Sequence, residues 1–233
     1  MPSCTSTRQR YLKLIDRLAR HLIALKLRID NPASSFLSSE RWPEEEPEPV
    51  FLDAADDARL QSACVVRAFD SFKELRNASI VALLLGTGLT ASELRALVVE
   101  DLDASSSRMS VFVKKHGPRI ARRVPVDAFA VDLLRLYQGA RTGMSCPAQW
   151  LFVSTARGTP MKTDRLGEYV RQALRQAQIS APDESPRLLR NTFGRRHLIE
   201  GMSNEQVSNL LGLSSHRTVN RLRQTFDVES SNP

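Results

Sequence analysis

Apolar residues recur every three or four positions over most of the chain, which is the spacing of one face of an α-helix. The first such segment covers residues 8–28, and its apolar face is formed by Tyr11, Ile15, Leu18, Leu22 and Leu25. Asn31-Pro32 is expected to end this helix, since a residue before proline disfavours helical dihedral angles. Further helices are predicted over residues 53–72, 127–137 and 163–179, and on either side of a Gly-Thr-Gly turn within residues 74–99.

Two short stretches instead alternate apolar and polar residues, as half-buried β-strands do. They are about Met109–Lys114 and Ile120–Val126, joined by a turn at residues 116–118. A further short strand is predicted at Trp150–Ser154. The predicted fold is therefore mainly α, with a small β-hairpin or three-stranded sheet.

Residues 185–223 are predicted to form two or three helices that are rich in arginine. Gly201 ends one of them, and Ser203 with Gln206 three residues later is a capping box that begins the next. Their polar face carries Arg187, Arg190, Arg195, Arg196, Arg217, Arg221 and Arg223. Arginine suits phosphate because its planar guanidinium donates paired hydrogen bonds to two oxygens.

Charge and composition favour an acidic partner and argue against a membrane protein. The 233 residues carry a formal net charge of +7, although residues 44–57 are strongly acidic. No apolar run approaches the ~20 residues of a membrane span, and the N-terminus lacks the apolar core of a signal peptide. The three cysteines are widely spaced, and no phosphate loop or metal-ligand cluster is recognisable. We therefore expect no cofactor, no metal and a cytoplasmic location.

Two motifs resemble those of the tyrosine recombinases, the phage integrase family. The first is Thr-Gly-Leu-x-x-Ser-Glu-Leu at residues 87–94, in which Thr90 and Ser92 are candidate helix N-caps. The second is Arg187-x-x-Arg190 followed by Gly201 and by Leu-Gly-Leu-Ser-Ser at residues 211–215. It has the order and spacing of the family's His-x-x-Arg box and Leu-Gly-His-Ser-Ser sequence. The resemblance covers about residues 8–226 and implies an integrase-like catalytic domain.

The same resemblance divides the chain into four parts. Residues 1–32 correspond to a remnant of the family's N-terminal core-binding helical domain. Residues 33–52, rich in Ser, Pro and Glu, read as an extended and mobile linker. Residues 53–226 correspond to the catalytic-type domain, and residues 227–233 form a polar tail.

The resemblance also implies where the family's catalytic residues would stand. In that family a tyrosine attacks a DNA phosphate held by two arginines, while a lysine and histidines assist proton transfer. The corresponding positions hold, in chain order, Thr90 (first arginine), Lys115 (lysine), Arg187 (box histidine), Arg190 (second arginine), Leu213 (third-box histidine) and Leu222 (tyrosine). The set is incomplete, which predicts a chain that is inactive in strand exchange.

Phosphate binding needs only positive charge and orientation, and both are predicted to persist. The residues expected to contact DNA are Lys114, Lys115, Arg122, Arg123, Arg187, Arg190, Arg195 and Arg196. An alternative interpretation of the hairpin lysines is a solvated basic edge that discourages strand pairing.

Three functional hypotheses follow from the resemblance. The first is a non-catalytic, nucleoid-associated protein that binds double-stranded DNA and regulates or assists a mobile element. The second is a divergent recombinase that takes its tyrosine from a partner subunit. The third is a relic or accessory protein that binds an active recombinase without binding DNA itself. A second copy of the chain is a further candidate partner, and no membrane is expected.

Overall fold

The computed structural model of the chain describes residues 5–39, 48–106, 108–115, 120–144, 146, 148–155 and 157–227. The chain divides into two compact units, Met1–Glu48 and Pro49–Pro233. The predicted hairpin turn at residues 116–118, residues 40–47 of the predicted linker and residues 228–233 of the predicted tail lie outside the described residues.

The first unit contains a second helix where the sequence predicted a linker. Helix α1 (Thr5–Ala24) ends before the predicted residue 28, and α2 (Pro32–Ser39) follows it. The Asn31 side-chain oxygen accepts a hydrogen bond from the Ala33 N–H at 3.1 Å, which caps α2. Proline suits the first turn of a helix, where its missing N–H is not needed. The prediction of an extended linker is therefore wrong for residues 33–39.

The second unit is built around one buried helix. Its helices are α3 (Ala54–Ala63), α4 (Phe72–Thr87), α5 (Ala91–Ala96), α6 (Ala128–Thr142), α7 (Thr163–Gln176), α8 (Pro186–Ile199), α9 (Asn204–Leu211) and α10 (Arg217–Asp227). Helix α4 is apolar on every side from Ile80 to Leu85, and each of these side chains is at most 3% exposed. It packs against α6, α7 and α8, so this apolar run forms the centre of the core.

A small sheet lies between α5 and α6 in the chain. Strands β1 (Leu102–Asp103), β2 (Ser110–Val113) and β3 (Arg122–Pro125) pair antiparallel in the order β1-β2-β3. Val111 and Val124 face each other in the core, whereas Phe112 and Arg123 pair on the exposed face. The prediction of a mainly α fold with a small three-stranded sheet is confirmed.

Two predicted elements are shorter or absent. The helix predicted over residues 53–72 ends at Ala63, and α4 begins only after Ser71, whose hydroxyl accepts a hydrogen bond from the Glu74 N–H at 3.2 Å. The strand predicted at residues 150–154 makes only isolated bridges. Two of its carbonyls are taken by side chains rather than by a neighbouring strand. The Tyr137 hydroxyl donates to the Leu151 oxygen, and Arg76 to the Val153 oxygen, each at 2.8 Å.

Candidate functional site

The Thr-Gly-Leu motif forms the turn between α4 and α5. Gly88 ends α4 in a left-handed conformation (φ 61°), and a Cβ there would overlap the Phe193 ring. Thr90 caps α5, because its hydroxyl accepts a hydrogen bond from the Glu93 N–H at 3.3 Å. The Glu93 carboxylate in turn accepts one from the Thr90 N–H at 2.9 Å. Thr90, which is predicted to stand at the family's first arginine position, is therefore a helix cap.

Glu93 is a buried carboxylate at the centre of this site, with a side chain that is 0% exposed. It accepts a hydrogen bond from the Thr90 hydroxyl at 2.8 Å and pairs with Arg122 at 2.8 Å. Burial raises the pKa of Glu93, but the hydrogen bonds from Arg122 and Thr90 and the Arg122 charge outweigh it, so the pKa lies below its usual value. Glu93 is therefore ionised at neutral pH.

Arg190 is held by the protein's own oxygens. Its two terminal nitrogens donate to the carbonyl oxygens of Gly88 at 2.6 Å and Leu211 at 2.7 Å. One of them also lies 3.7 Å from the Glu93 carboxylate. The guanidinium thereby ties α8 to the α4–α5 turn and to the end of α9.

Arg122 reaches the same site from β3. Its Nε donates to the Leu210 carbonyl oxygen at 2.6 Å, and its side chain is 6% exposed. Gly212 has a left-handed backbone (φ 66°), and a Cβ there would overlap the Arg122 guanidinium. Arg122 Nη2 is buried and has no hydrogen-bond partner among the described residues. The structure therefore brings Thr90, Glu93, Arg122 and Arg190 together in one network.

Arg187 and Lys115 point their charges toward solvent instead. Arg187 lies in the first turn of α8, and Lys115 follows β2; both are exposed. Neither side chain has a hydrogen-bond or ion-pair partner in the part of the chain that the structure describes. Of the residues predicted to contact DNA, these two can meet a phosphate without losing a partner.

Lys114 and Arg123 on the hairpin are exposed but paired. Lys114 Nζ lies 3.4 Å from Asp101, and Arg123 Nη1 lies 3.2 Å from Asp103. The Arg123–Asp103 pair is largely exposed, and exposed pairs contribute little to stability. Lys114 is exposed, but its partner Asp101 is buried. DNA contact by these two side chains stays a prediction.

Arg195 and Arg196 do not lie on an exposed polar face, contrary to the sequence prediction. Arg195 is 6% exposed, lies 4.4 Å from the centre of the Phe51 ring and donates to the Thr225 hydroxyl at 3.1 Å. Arg196 donates to both Asp57 carboxylate oxygens at 2.7 Å and to Asp127 at 2.8 Å. Arg190 is also buried. These three arginines of α8 therefore bind groups within the protein instead of facing solvent.

Leu222, which is predicted to stand at the position of the family's tyrosine, lies inside the core. Leu222 on α10 is 0% exposed, and a Cβ added to Gly194 of α8 would stand 3.1 Å from a Leu222 methyl group. Helix α10 is fastened by Arg223, which donates to the Asn204 side chain at 2.5 Å and to the Met202 carbonyl at 2.8 Å. Leu213, at the third-box histidine position, is half-buried against the same core.

His197 of α8 is a buried ionisable residue that was not predicted from the sequence as part of the site. Its two ring nitrogens lie 3.3 Å from Asp127 and 2.9 Å from Glu200. Burial lowers the pKa of His197, but the hydrogen bond and charge of Asp127, with the charge of Glu200, outweigh it and raise the pKa above its usual value. The ring therefore belongs to the ionic network of Arg196.

Comparisons with known proteins agree on one family. The sequence model of the Phage integrase family matches residues 52–227. The chain is 29% identical over 236 residues to tyrosine recombinase XerC of Halalkalibacterium halodurans, covering 89% of this chain and 75% of that protein. It is 29% identical over 231 residues to tyrosine recombinase XerD of Yersinia pestis, covering 92% and 72%. It spans 65% to 75% of the length of the first three such relatives.

Solved structures show the same fold. The Tn1549 transposon integrase in complex with a circular intermediate DNA matches with a TM-score of 0.69 and 19% identity, over 97% of this chain and 79% of that one. Among the described residues, no helix is long and apolar enough to cross a membrane, and no group of His, Cys, Asp or Glu is placed to hold a metal ion. The integrase-like architecture implied by the sequence motifs is confirmed.

Proposed function

The chain belongs to the phage integrase family, and we propose that it binds double-stranded DNA without cleaving it. In this proposal it is a regulator or accessory factor of a mobile element. The first unit corresponds to part of the family's N-terminal DNA-binding domain, and the second unit carries the inherited phosphate site.

The observation that carries this proposal is the burial of Leu222 at the nucleophile position. A covalent reaction requires a nucleophile that can reach the phosphate, and leucine has none. The nearby first arginine position holds Thr90, whose hydroxyl is bound to Glu93 at 2.8 Å. Loss of one preorganised donor to a transition-state oxyanion costs about 3–4 kcal/mol, whereas loss of the nucleophile removes the reaction itself.

Two exposed cations support the DNA-binding part of the proposal. Arg187 and Lys115 are without partners in the described structure and stand at positions where the family places phosphate-facing residues. Electrostatic contacts to phosphates do not require a complete catalytic set. The Tn1549 integrase, which shares the fold, is bound to DNA in its solved structure.

The proposal is tested with nicked duplex DNA that traps covalent recombinase intermediates. We expect the protein to shift the duplex in a native gel but to leave no protein–DNA adduct after denaturation. An adduct would contradict the non-catalytic part, and failure to bind any duplex at low salt would contradict the DNA-binding part. The second outcome would favour the hypothesis of a relic that acts through a protein partner.

Replacing Arg187 with alanine is expected to weaken binding to all duplex sequences alike. One lost phosphate contact lowers the slope of log Kd against log salt concentration by about 0.9. The measurement is fluorescence anisotropy of a labelled duplex over a series of salt concentrations. Arg135→Ala is the matched control, because it removes an exposed arginine of α6 whose one ion pair within the described residues is with Asp132, at 3.4 Å. Equal slopes for the two variants would mean that Arg187 does not face DNA.

A second candidate function is a divergent recombinase that works with a partner subunit supplying the tyrosine. The retained arginine Arg190, held beside Glu93 at 3.7 Å, favours it, because this chain would still contribute phosphate-binding groups. The names of the XerC and XerD relatives also favour it. Adding an active family member to the nicked-duplex assay distinguishes the two functions. Adduct formation that rises when this chain is added would support the second candidate.

A further inference from the structure

A cationic cavity lies between α4 and α7, and it is lined by none of the residues predicted to be catalytic or to contact DNA. Its volume is about 550 Å³, within the range of small-molecule sites. Its charged lining consists of Lys73, Arg76, Lys162, Arg165 and Glu168. The four cations thus face one carboxylate, and the cavity carries an excess of positive charge.

Arg76 supplies the buried part of this charge. It is 4% exposed and donates to the carbonyl oxygens of Val153 at 2.8 Å and Ser154 at 3.1 Å, and to the Asn77 side chain at 2.9 Å. All its hydrogen-bond partners in the described structure, including the Tyr169 hydroxyl at 3.3 Å, are neutral. Buried charges are normally paired with an opposite charge, since desolvation of a lone ion is costly. Among the described residues, Arg76 has no carboxylate partner, so its positive charge contributes in full to the potential of the cavity.

The rim of the cavity adds exposed lysine side chains and the N-terminus of a helix. Lys73 and Lys162 are exposed and have no ion-pair partner in the described residues, whereas Arg165 is neutralised by Glu168 at 2.7 Å. Lys162 is also the N-cap residue of α7, and its side chain makes no capping hydrogen bond. The uncapped N-terminus of a helix carries partial positive charge. These features point to an anion that enters from solvent and binds the exposed lysines, attracted also by the buried charge of Arg76.

We propose that this cavity is a phosphate-binding site, separate from the site around Glu93 and Arg190. A phosphate group suits the two exposed lysines better than a single carboxylate does, because its three oxygens can accept several charge-assisted hydrogen bonds. The buried charge of Arg76, whose N–H groups already bind protein oxygens, adds electrostatic attraction. The phosphate comes either from a soluble polyphosphate compound or from the backbone of a nucleic acid. The site does not depend on the chain being non-catalytic.

The test is isothermal titration of the full chain with sodium tripolyphosphate. The double variant K73Q/K162Q removes the two exposed lysines of the cavity. K13Q/K26Q removes two exposed lysines of the first unit and is the matched control. We expect the double cavity variant to bind at least about tenfold more weakly, because it loses two charge-assisted contacts. The control is expected to bind as the unchanged protein does, and near-identical circular dichroism checks that each variant folds.

Binding of labelled duplex DNA distinguishes the two sources of phosphate. If the source is nucleic acid, K73Q/K162Q weakens duplex binding and tripolyphosphate displaces the duplex. If it is a soluble compound, duplex affinity is unchanged in that variant. Absence of tripolyphosphate binding, or equal weakening in both double variants, would overturn the proposal. Arg135→Ala is expected to leave tripolyphosphate affinity unchanged, because this exposed arginine of α6 lies outside both sites. The titration contains no DNA, so its outcome is read separately from that of the DNA-binding test.

Discussion

Replacing Arg196 with methionine is expected to lower the free energy of unfolding by about 3–5 kcal/mol. Arg196 binds both Asp57 oxygens at 2.7 Å, Asp127 at 2.8 Å and the Leu85 carbonyl at 2.7 Å. The three charged side chains are only 9% to 15% exposed. Methionine keeps much of the apolar stem but leaves two buried carboxylates without their cation. The loss is a large part of the 5–15 kcal/mol that stabilises a typical domain.

Urea denaturation followed by circular dichroism measures this change. Arg135→Met is the matched control, because its pair with Asp132 is 52% and 81% exposed and is expected to contribute less than about 1 kcal/mol. Adding Asp57→Asn to Arg196→Met is expected to recover part of the loss, since one unpaired charge disappears. If Arg196→Met costs no more than Arg135→Met, the network does not hold α3, α6 and α8 together.

Local chemistry made much of the fold predictable from sequence. Thr90 and Ser203 cap α5 and α9 as the sequence suggested, because a capping box needs only residues three positions apart. The alternation within residues 109–126 gave the hairpin strands, although their ends are shorter than predicted. These signals depend on residues that are close together in the sequence, so a sequence pattern can detect them.

The burial and the binding partners of the arginines could not be predicted in this way. Arg190 is bound by oxygens of Gly88 and Leu211, and Arg196 by Asp57 and Asp127. These partners are distant in the sequence, so the spacing of apolar residues within one helix does not predict them. A helical face rich in arginine therefore looks the same in sequence whether it meets solvent or buried acceptors. Glu93 was missed as the centre of the site for the same reason, since its partner Arg122 comes from β3.

Replacing Leu222 with tyrosine is expected to destabilise the protein by about 1–3 kcal/mol and to give no covalent adduct with nicked DNA. Leu222 is 0% exposed and packs against Gly194, so the larger ring has no space there. Its hydroxyl would also enter an apolar core, where an unpaired polar group costs free energy. Thermal unfolding and the nicked-duplex assay measure the two effects.

Phe226→Tyr on the same helix is the matched control, because it adds the same hydroxyl at a half-buried position. We expect it to change stability by less than about 0.5 kcal/mol and to form no adduct either. An adduct with Leu222→Tyr alone would mean that α10 leaves α8 readily and that Thr90 can stand in for the missing arginine. A tyrosine that stays in the core cannot reach a phosphate. Restoring cleavage therefore requires both a loosened α10 and a refilled arginine position, and the single substitution provides neither.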